Sequence, residues 1–290
     1  MPKMNLKNDG ARKWALDVTE YWIKNFDIDG WRMDVAKELD FSFWKDFRDI
    51  ALNAKKDVVL ISEIFGDTSQ WLQGDRFDGT MNYSFRETMV DYFATKRIDN
   101  KEFANSLSNL YSMYSFEALS ACQNLLSSHD VRRFLNQCES NTDGIFGAVF
   151  LQATFPGIAG IYYGDEIGLG GGGDPFNREP FPWDSEEKWN KDLMNFTSEL
   201  MNIKANEPVL KYGNFQMVNF DDNYVIFRRK FENESLLCIV NRDKKNVEIS
   251  IETLAENVEA VYGECELEIN SGTLKISGLA DNFGLIIKEN

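Results

Sequence analysis

The feature that most constrains the fold is a regular alternation of short strand patterns with longer helical patterns. The clearest strand is the continuous apolar run at residues 58–61, which is typical of a strand buried on both faces. Five strand patterns occur, at residues 26–34, 58–63, 77–83, 124–130 and 157–163. Each is followed by a helical pattern, so we predict parallel βα units. A (β/α)8 barrel has eight such units in about 250 residues, so five units predict an α/β fold with an incomplete TIM barrel.

Two helices near the start are well marked. Residues 11–26 place five apolar side chains on one helical face: Trp14, Val18, Tyr21, Trp22 and Phe26. Asp40 is a candidate N-cap for the next helix, because a carboxylate there accepts hydrogen bonds from the free N–H groups of the first turn. The apolar stripe of that helix is Phe43, Trp44, Phe47, Ile50 and Ala54.

The pattern changes near residue 207. Short strand patterns without intervening helices follow, at residues 224–227, 236–240, 247–251, 274–276 and 285–287. We therefore predict two domains, a barrel portion at residues 1–206 and a small antiparallel β-domain at residues 207–290.

Charge and composition limit the classes of binding partner that the chain can have. The formal charge of −16 disfavours nucleic acid, because an acidic surface repels phosphates, but it leaves neutral sugars open. No apolar run reaches the length of a membrane span, and we expect no membrane partner. The four cysteines form no close pair and are expected to be free thiols in the cytoplasm. A single histidine, His129, excludes a zinc site built on several histidines, and no metal site is predicted.

Three carboxylates lie at the ends of predicted strands: Asp34, Glu63 and Asp130. Barrel enzymes carry their catalytic groups at this position, because the strand ends share one mouth. Two carboxyl groups about 5 Å apart are what retaining hydrolysis of a glycosidic bond requires. For any one of these acids, capping of the next helix is an equally good explanation.

Arg32 strengthens the catalytic interpretation. Positions i and i+2 share a face of a strand, so its guanidinium is expected beside Asp34, where it would keep a nucleophilic carboxylate ionised. Glu63 follows an apolar run, and a desolvated carboxyl group with a raised pKa suits a general acid.

Five segments resemble motifs of the α-amylase family, glycoside hydrolase family 13, in the family's order. They are residues 29–38, 61–65, 126–130, 162–168 and 173–178. The resemblance implies barrel strands 4–8, with Asp34 as the nucleophile, Glu63 as the acid/base and Asp130 as the stabiliser of the transition state. It also implies substrate contacts from Arg32, His129, Asp174 and Arg178, with Lys37 and Glu38 near the leaving group.

The first five residues, MPKMN, resemble the MPKLN motif of the neopullulanase and cyclomaltodextrinase branch, although Lys37 replaces the Asn usual there. This resemblance implies a retaining hydrolase of maltooligosaccharides, cyclodextrins or pullulan, with strands 1–3 preceding the first motif. We therefore expect little or no turnover by these 290 residues alone, and pairing with a missing N-terminal half or with a second copy. No cofactor is required, while calcium in the intact enzyme stays open.

Two other readings stay open. Three strand-end acids could hold Mg²⁺, although Arg32 would compete with the metal. A degenerate domain could bind sugar without cleaving it. The glycines at 170–173 lack the Lys-Ser/Thr of a phosphate loop and are interpreted as a flexible loop, while Trp71 and Trp183 are expected to pack.

Overall fold

The structure is a computed structural model that describes residues 3–139, 141–280 and 282–290. The chain divides into two units, Met1–Ser84 with Met113–Gln123 and Phe85–Ser112 with Asn124–Asn290. The helices are α1 (Asp9–Phe26), α2 (Phe41–Ala54), α3 (Tyr83–Met89), α4 (Asn100–Ser112), α5 (Phe116–Ala121), α6 (Phe134–Cys138), α7 (Gly144–Thr154), α8 (Lys191–Asn206) and α9 (Pro208–Tyr212). In the described part of the chain, no helix combines the length and the apolar character needed to cross a membrane.

The strands alternate with helices early in the chain and follow one another directly near its end. They are β1 (Gly30–Met33), β2 (Val59–Ser62), β3 (Gly79–Thr80), β4 (Gln123–Leu125), β5 (Ile158–Gly160), β6 (Asn214–Phe220), β7 (Val225–Phe231), β8 (Glu234–Val240), β9 (Ile249–Glu252), β10 (Val258–Tyr262), β11 (Glu266–Asn270), β12 (Thr273–Ser277) and β13 (Gly284–Glu289).

The first unit contains a parallel sheet in the order β1-β2-β3, which confirms the predicted parallel pairing for these strands. Helix α2 connects β1 to β2 and begins where expected, since the Asp40 side chain accepts a 2.8 Å hydrogen bond from the Ser42 N–H. Its inner face buries Phe43, Trp44 and Phe47 almost completely. Each of these side chains contributes roughly 1.5–3 kcal/mol by leaving water.

Helix α1 packs differently from its apolar pattern. The helix exists, but Trp14 is 60% exposed, and Tyr21, Trp22 and Phe26 are exposed beside it. The residues that α1 buries are Leu16, Thr19 and Ile23. Periodicity predicts that a helix has a distinct face, but the neighbouring elements decide which face is covered.

The second unit contains the last two residues of β4, the strand that pairs with β5, and a helix, α7, that is buried on all sides. The remaining strands form a five-stranded antiparallel sheet in the order β10-β13-β8-β7-β6 and a three-stranded one in the order β11-β12-β9. Their shared core is aliphatic, with Ile226, Leu237, Ile239, Ile276 and Leu285 buried. The antiparallel C-terminal region is thus confirmed, and β6, β10 and β11 are additional to the predicted strands. The incomplete barrel and the domain boundary at residue 206 stay predictions.

Candidate active site

Asp34 and Glu63 each follow the last residue of a parallel strand. In the register of the sheet, Met33 of β1 lies opposite Ser62 of β2, so the two acids occupy equivalent positions one step further on. The Glu63 N–H donates to the Met33 carbonyl at 2.9 Å, which continues the strand ladder up to this point. The strand ends therefore bring this carboxyl pair, Asp34 and Glu63, together as the sequence predicts.

Arg32 contacts both members of the carboxyl pair. Its Nη1 lies 3.0 Å from Asp34 Oδ1, as expected for side chains two residues apart on one face of a strand. Its Nη2 forms a close ion pair with Glu63 Oε1. One guanidinium thus fixes the position of two carboxyl groups that would otherwise repel each other.

The two carboxyl groups differ in their environment. The side chain of Asp34 is 74% exposed, whereas that of Glu63 is only 3% exposed. Burial raises the pKa of Glu63, and a hydrogen bond shared with Asp34 raises it further, against the opposing charge of Arg32. Glu63 is therefore the group that retains a proton more readily, which is the property of a general acid.

Val35 was not predicted to take part and has an unusual backbone. Its φ is +43°, in the left-handed region that β-branched residues rarely adopt. This turn directs the Val35 N–H toward Glu63 Oε2, at 3.5 Å. The next N–H, that of Ala36, donates to the Glu63 carbonyl at 3.2 Å. No side-chain pattern in the sequence marks this conformation.

Lys37 and Glu38 belong to a short 3₁₀ helix, Ala36–Glu38, that follows Asp34. Glu38 lies 3.7 Å from the Lys3 ammonium, and both side chains are well exposed. Lys3, Asn5 and Glu38 are among the residues lining a cleft of about 650 Å³. The first two residues of the MPKMN segment lie outside the described residues.

His129 and Asp130 lie in a tight turn after β4, which ends at Leu125 instead of continuing to residue 130 as predicted. We call residues 128–131 the histidine turn; an antiparallel bridge joins its ends, Ser128 and Val131. The Asp130 N–H donates to Ser128 Oγ at 3.2 Å. His129 Nε2 lies 3.2 Å from Asp130 Oδ2, so the two predicted site residues are in contact.

Asp174 and Arg178 join the same group of side chains. Arg178 Nη2 lies 3.4 Å from Asp130 Oδ1, and its Nε lies 3.0 Å from Asp174 Oδ1. The same Nε donates to the His129 carbonyl at 3.0 Å. Arg178 therefore organises two acids and a backbone carbonyl, in addition to the sugar contact that the resemblance implies.

Sequence reasoning missed other residues near the histidine turn. Asn177 is fully buried and donates to the backbone of the turn. Arg86, 3% exposed, donates to the carbonyls of Leu126 and Arg132 on either side of it. A buried Arg133–Asp165 pair, 3.2 Å apart, lies next along the chain, and burial raises the pKa of Asp165 to about 7. Asn177 lies within the motif-like segment 173–178, but only Asp174 and Arg178 were singled out there, and no local pattern marks Arg86.

The two tryptophans that were expected to pack behave differently. Trp71 packs against Phe41 with ring centroids 5.3 Å apart. Trp183 is 71% exposed, so the expectation that it packs was wrong. Its ring contacts Phe181 at 4.3 Å, and this contact leaves most of the indole accessible.

The carboxyl groups of Asp34 and Glu63 lie on adjacent strand ends, one exposed beside an arginine and the other buried with a raised pKa. This arrangement is typical of the active site of a glycoside hydrolase. The family model described as alpha amylase, catalytic domain, matches residues 1–208. The chain therefore belongs to the α-amylase family of glycosidases.

Named relatives agree with this family. The chain is 38% identical to a cyclomaltodextrinase of Thermoanaerobacter pseudethanolicus, over 99% of this chain and 49% of the relative. It is 35% identical to neopullulanase 2 of Thermoactinomyces vulgaris, over 96% of this chain and 48% of the relative. A solved structure of a debranching enzyme from Nostoc punctiforme is similar with a TM-score of 0.90 and 28% identity, covering 99% of this chain and 63% of that one. The chain spans about half the length of the curated relatives it matches.

Proposed function

We propose that this chain carries the catalytic carboxyl groups of a retaining hydrolase of α-glucans. The observation that supports this most directly is the carboxyl pair held by Arg32 on adjacent strand ends. The hydrogen bond between Glu63 and Asp34 favours a short separation, as in retaining enzymes, over the wider gap of about 6.5–9.5 Å that inverting enzymes use for a water molecule.

The reaction divides into two displacements. Asp34 attacks the anomeric carbon while Glu63 gives its proton to the departing glycosidic oxygen, which leaves a glycosyl ester on Asp34 and a carboxylate on Glu63. Glu63 then takes a proton from a water molecule, whose oxygen attacks the same carbon and releases Asp34. Two inversions give net retention, and both carboxyl groups return to their starting states.

The other predicted site residues bind the sugar in this proposal. Asp130 and His129 accept and donate hydrogen bonds to hydroxyl groups of the distorted ring, and Asp174 with Arg178 holds the sugar next to the cleaved bond. Lys37 and Glu38 lie near the leaving group. The mutual contacts of Asp130, His129 and Arg178 support a shared role.

The substrate class follows from the relatives, which are named cyclomaltodextrinase, neopullulanase and maltogenic α-amylase. We propose cyclodextrins, maltooligosaccharides and pullulan as substrates. Several expectations from the sequence stay predictions. They are an incomplete barrel, weak turnover by these residues alone, a cytoplasmic location, calcium in a longer enzyme, and pairing with an N-terminal half or a second copy.

A covalent trap tests the proposal without depending on fast turnover. A 5-fluoro-α-glucosyl fluoride carries its own leaving group, so it should glycosylate the nucleophile even where hydrolysis is slow. We expect a single hexosyl adduct, located by peptide mass spectrometry at Asp34. Asp34→Asn should abolish it, whereas Asp17→Asn, which alters an exposed acid on α1 paired with Lys13, should leave it intact.

Turnover is measured in parallel on β-cyclodextrin, maltotriose and pullulan. An adduct on another residue, or a first-formed product with the inverted anomeric configuration, would contradict the assignment of Asp34. Binding of maltotriose with neither adduct nor hydrolysis would instead favour the alternative of a domain that binds sugar without cleaving it.

A further inference from the structure

Asn177 has contacts that no sugar-binding role explains. Its side chain is fully buried, at 0% exposure, between two exposed neighbours on its short 3₁₀ helix, Phe176–Arg178. Its amide nitrogen lies 3.3 Å from the Ser128 carbonyl, 2.8 Å from that of His129 and 2.9 Å from that of Val131. A fully buried side chain is out of reach of a dissolved substrate, so these backbone contacts define its role.

The three carbonyls belong to the histidine turn and converge on one point. Converging carbonyl dipoles repel each other, and a buried carbonyl without a donor destabilises the folded state. The Asn177 amide supplies donors at this point, while its Oδ1 accepts no hydrogen bond within the described ranges. Donation to the turn is therefore the contribution that this side chain makes.

We propose that Asn177 is a positioning residue that fixes the conformation of the histidine turn and thereby the orientation of His129 and Asp130. This inference rests on the proposed function insofar as those two side chains bind sugar. Arg178 acts on the same turn through a side chain, Asp130, and a single carbonyl, that of His129. Asn177 acts only on the backbone, which determines where both side chains leave the turn.

Asn177→Asp is the informative substitution. It preserves the shape of the side chain but replaces the two N–H donors with an oxygen that faces three carbonyls. Asn241→Asp is the matched control, because Asn241 is also fully buried and its amide donates to two carbonyls, those of Lys245 at 3.0 Å and Leu279 at 3.2 Å. Both variants lose buried amide donors, but only the first loses them from the histidine turn.

The chain contains one histidine, so its imidazole gives a single signal that reports on the turn. We expect the ¹H–¹³C imidazole peak of His129 in the 290-residue chain to shift or split in Asn177→Asp and to stay in place in Asn241→Asp. If Asn177→Asp does not fold, Asn177→Ser, which keeps one donor, should show a smaller displacement. An unmoved peak in the folded Asn177 variant, with a loss of thermal stability equal to that of the control, would overturn the proposal.

Titration with maltotriose, followed by the same peak, connects the turn to binding. We expect Asn177→Asp to weaken maltotriose binding about tenfold, the effect of losing interactions worth about 1.4 kcal/mol, and Asn241→Asp to leave it unchanged. Equal affinities in the wild type and Asn177→Asp would also overturn the proposal. The peak position without sugar is independent of glucan chemistry, so failure of the proposed function and failure of this inference are distinguishable.

Discussion

Two glutamates in the described part of the chain are buried and paired with a partly exposed arginine, yet they have opposite properties. Glu63 is 3% exposed and pairs with Arg32 at the ends of parallel strands. Glu289 is 7% exposed and pairs with Arg228 in the antiparallel sheet. The residue types are the same and the burial of the two glutamates is similar, yet the pKa of Glu63 is raised and that of Glu289 is lowered.

The difference lies in the number of hydrogen-bond donors. Burial is the largest single influence on Glu289 and would raise its pKa, but the hydrogen bonds to this carboxylate and the charge of Arg228 together outweigh it. Arg228 donates two of these hydrogen bonds, at 2.7 and 2.9 Å. Ser235 and Thr253 add hydroxyl donors at 2.8 and 3.1 Å. Glu63 has Arg32, a distant Val35 N–H at 3.5 Å, and a second acid, Asp34, beside it. Burial therefore dominates at Glu63, while hydrogen bonding dominates at Glu289.

This comparison separates a structural ion pair from a reactive one. In the β-domain every lone pair of the carboxylate has a donor, so the charged form is stable and chemically inert. At the strand ends one arginine is shared between two acids, so a proton can be held there and released. A count of ion pairs would treat the two as equivalent.

The largest expected effect is on turnover. Glu63→Gln removes the proposed proton donor, and general acid catalysis contributes about 10²–10⁴-fold, so kcat/KM for maltotriose should fall by that factor from the wild-type value, however low that value is. Glu289→Gln should leave kcat/KM within about twofold, because it alters a hydrogen-bonded group that holds no reacting atom. Initial rates of glucose release measure both. Similar losses in the two variants would show that Glu63 and Glu289 do not differ in reactivity.

The second-largest expected effect is on stability, and here the Glu289 variant should lose more than the Glu63 variant. Glu289→Ala leaves Arg228, whose side chain is 22% exposed, and the hydroxyls of Ser235 and Thr253 without their acceptor. Because hydrogen bonds to a charged group contribute about 1.5–3 kcal/mol, we expect a loss of that size. Glu63→Ala should change the free energy of unfolding by less than about 1 kcal/mol, because it also removes the repulsion between two adjacent acids. Urea unfolding followed by circular dichroism measures both values. A larger loss for Glu63→Ala would show that the strand-end pair is the structural one.

How far the sequence predicts this molecule depends on the range of the interactions involved. Local chemistry was sufficient for α2, whose cap at Asp40 and buried Phe43 and Phe47 are confirmed. It was also sufficient for the carboxyl pair, because strand alternation and the ends of neighbouring parallel strands place Arg32, Asp34 and Glu63 by short-range geometry.

Interactions between distant segments were beyond that reasoning. The exposed face of α1, with Trp14 and Trp22, shows that periodicity does not specify which face a neighbour covers. The contacts of Asn177 join residues 46 to 49 positions apart, and no local pattern encodes such a pairing. The left-handed backbone of Val35 arises where the chain must turn beneath Glu63, against the preference of a β-branched residue.

The smallest expected effect is on the pH dependence of stability, and it should have opposite signs at the two glutamates. Glu289 has a lowered pKa in the folded state, so its contribution is complete above its ordinary value of 4.5 and is lost as the pH falls through the lowered pKa. Glu63 has a raised pKa, so the folded state is favoured most below 4.5 and loses stability as the pH rises through the raised pKa.

Thermal unfolding from pH 3 to pH 8 of the wild type, Glu63→Gln and Glu289→Gln therefore tests the comparison in its thermodynamic form. The wild type should be more stable than Glu289→Gln at neutral pH, and this difference should shrink as the pH falls. Relative to Glu63→Gln, the wild type should lose stability as the pH rises toward neutral. Asp17→Asn, an exposed acid paired with Lys13, serves as the control and should follow the wild type throughout. If both glutamine variants diverge from the wild type in the same direction, hydrogen-bond count does not govern these two carboxyl groups. The reactive character of Glu63 would then need a cause outside its burial and its sharing of Arg32.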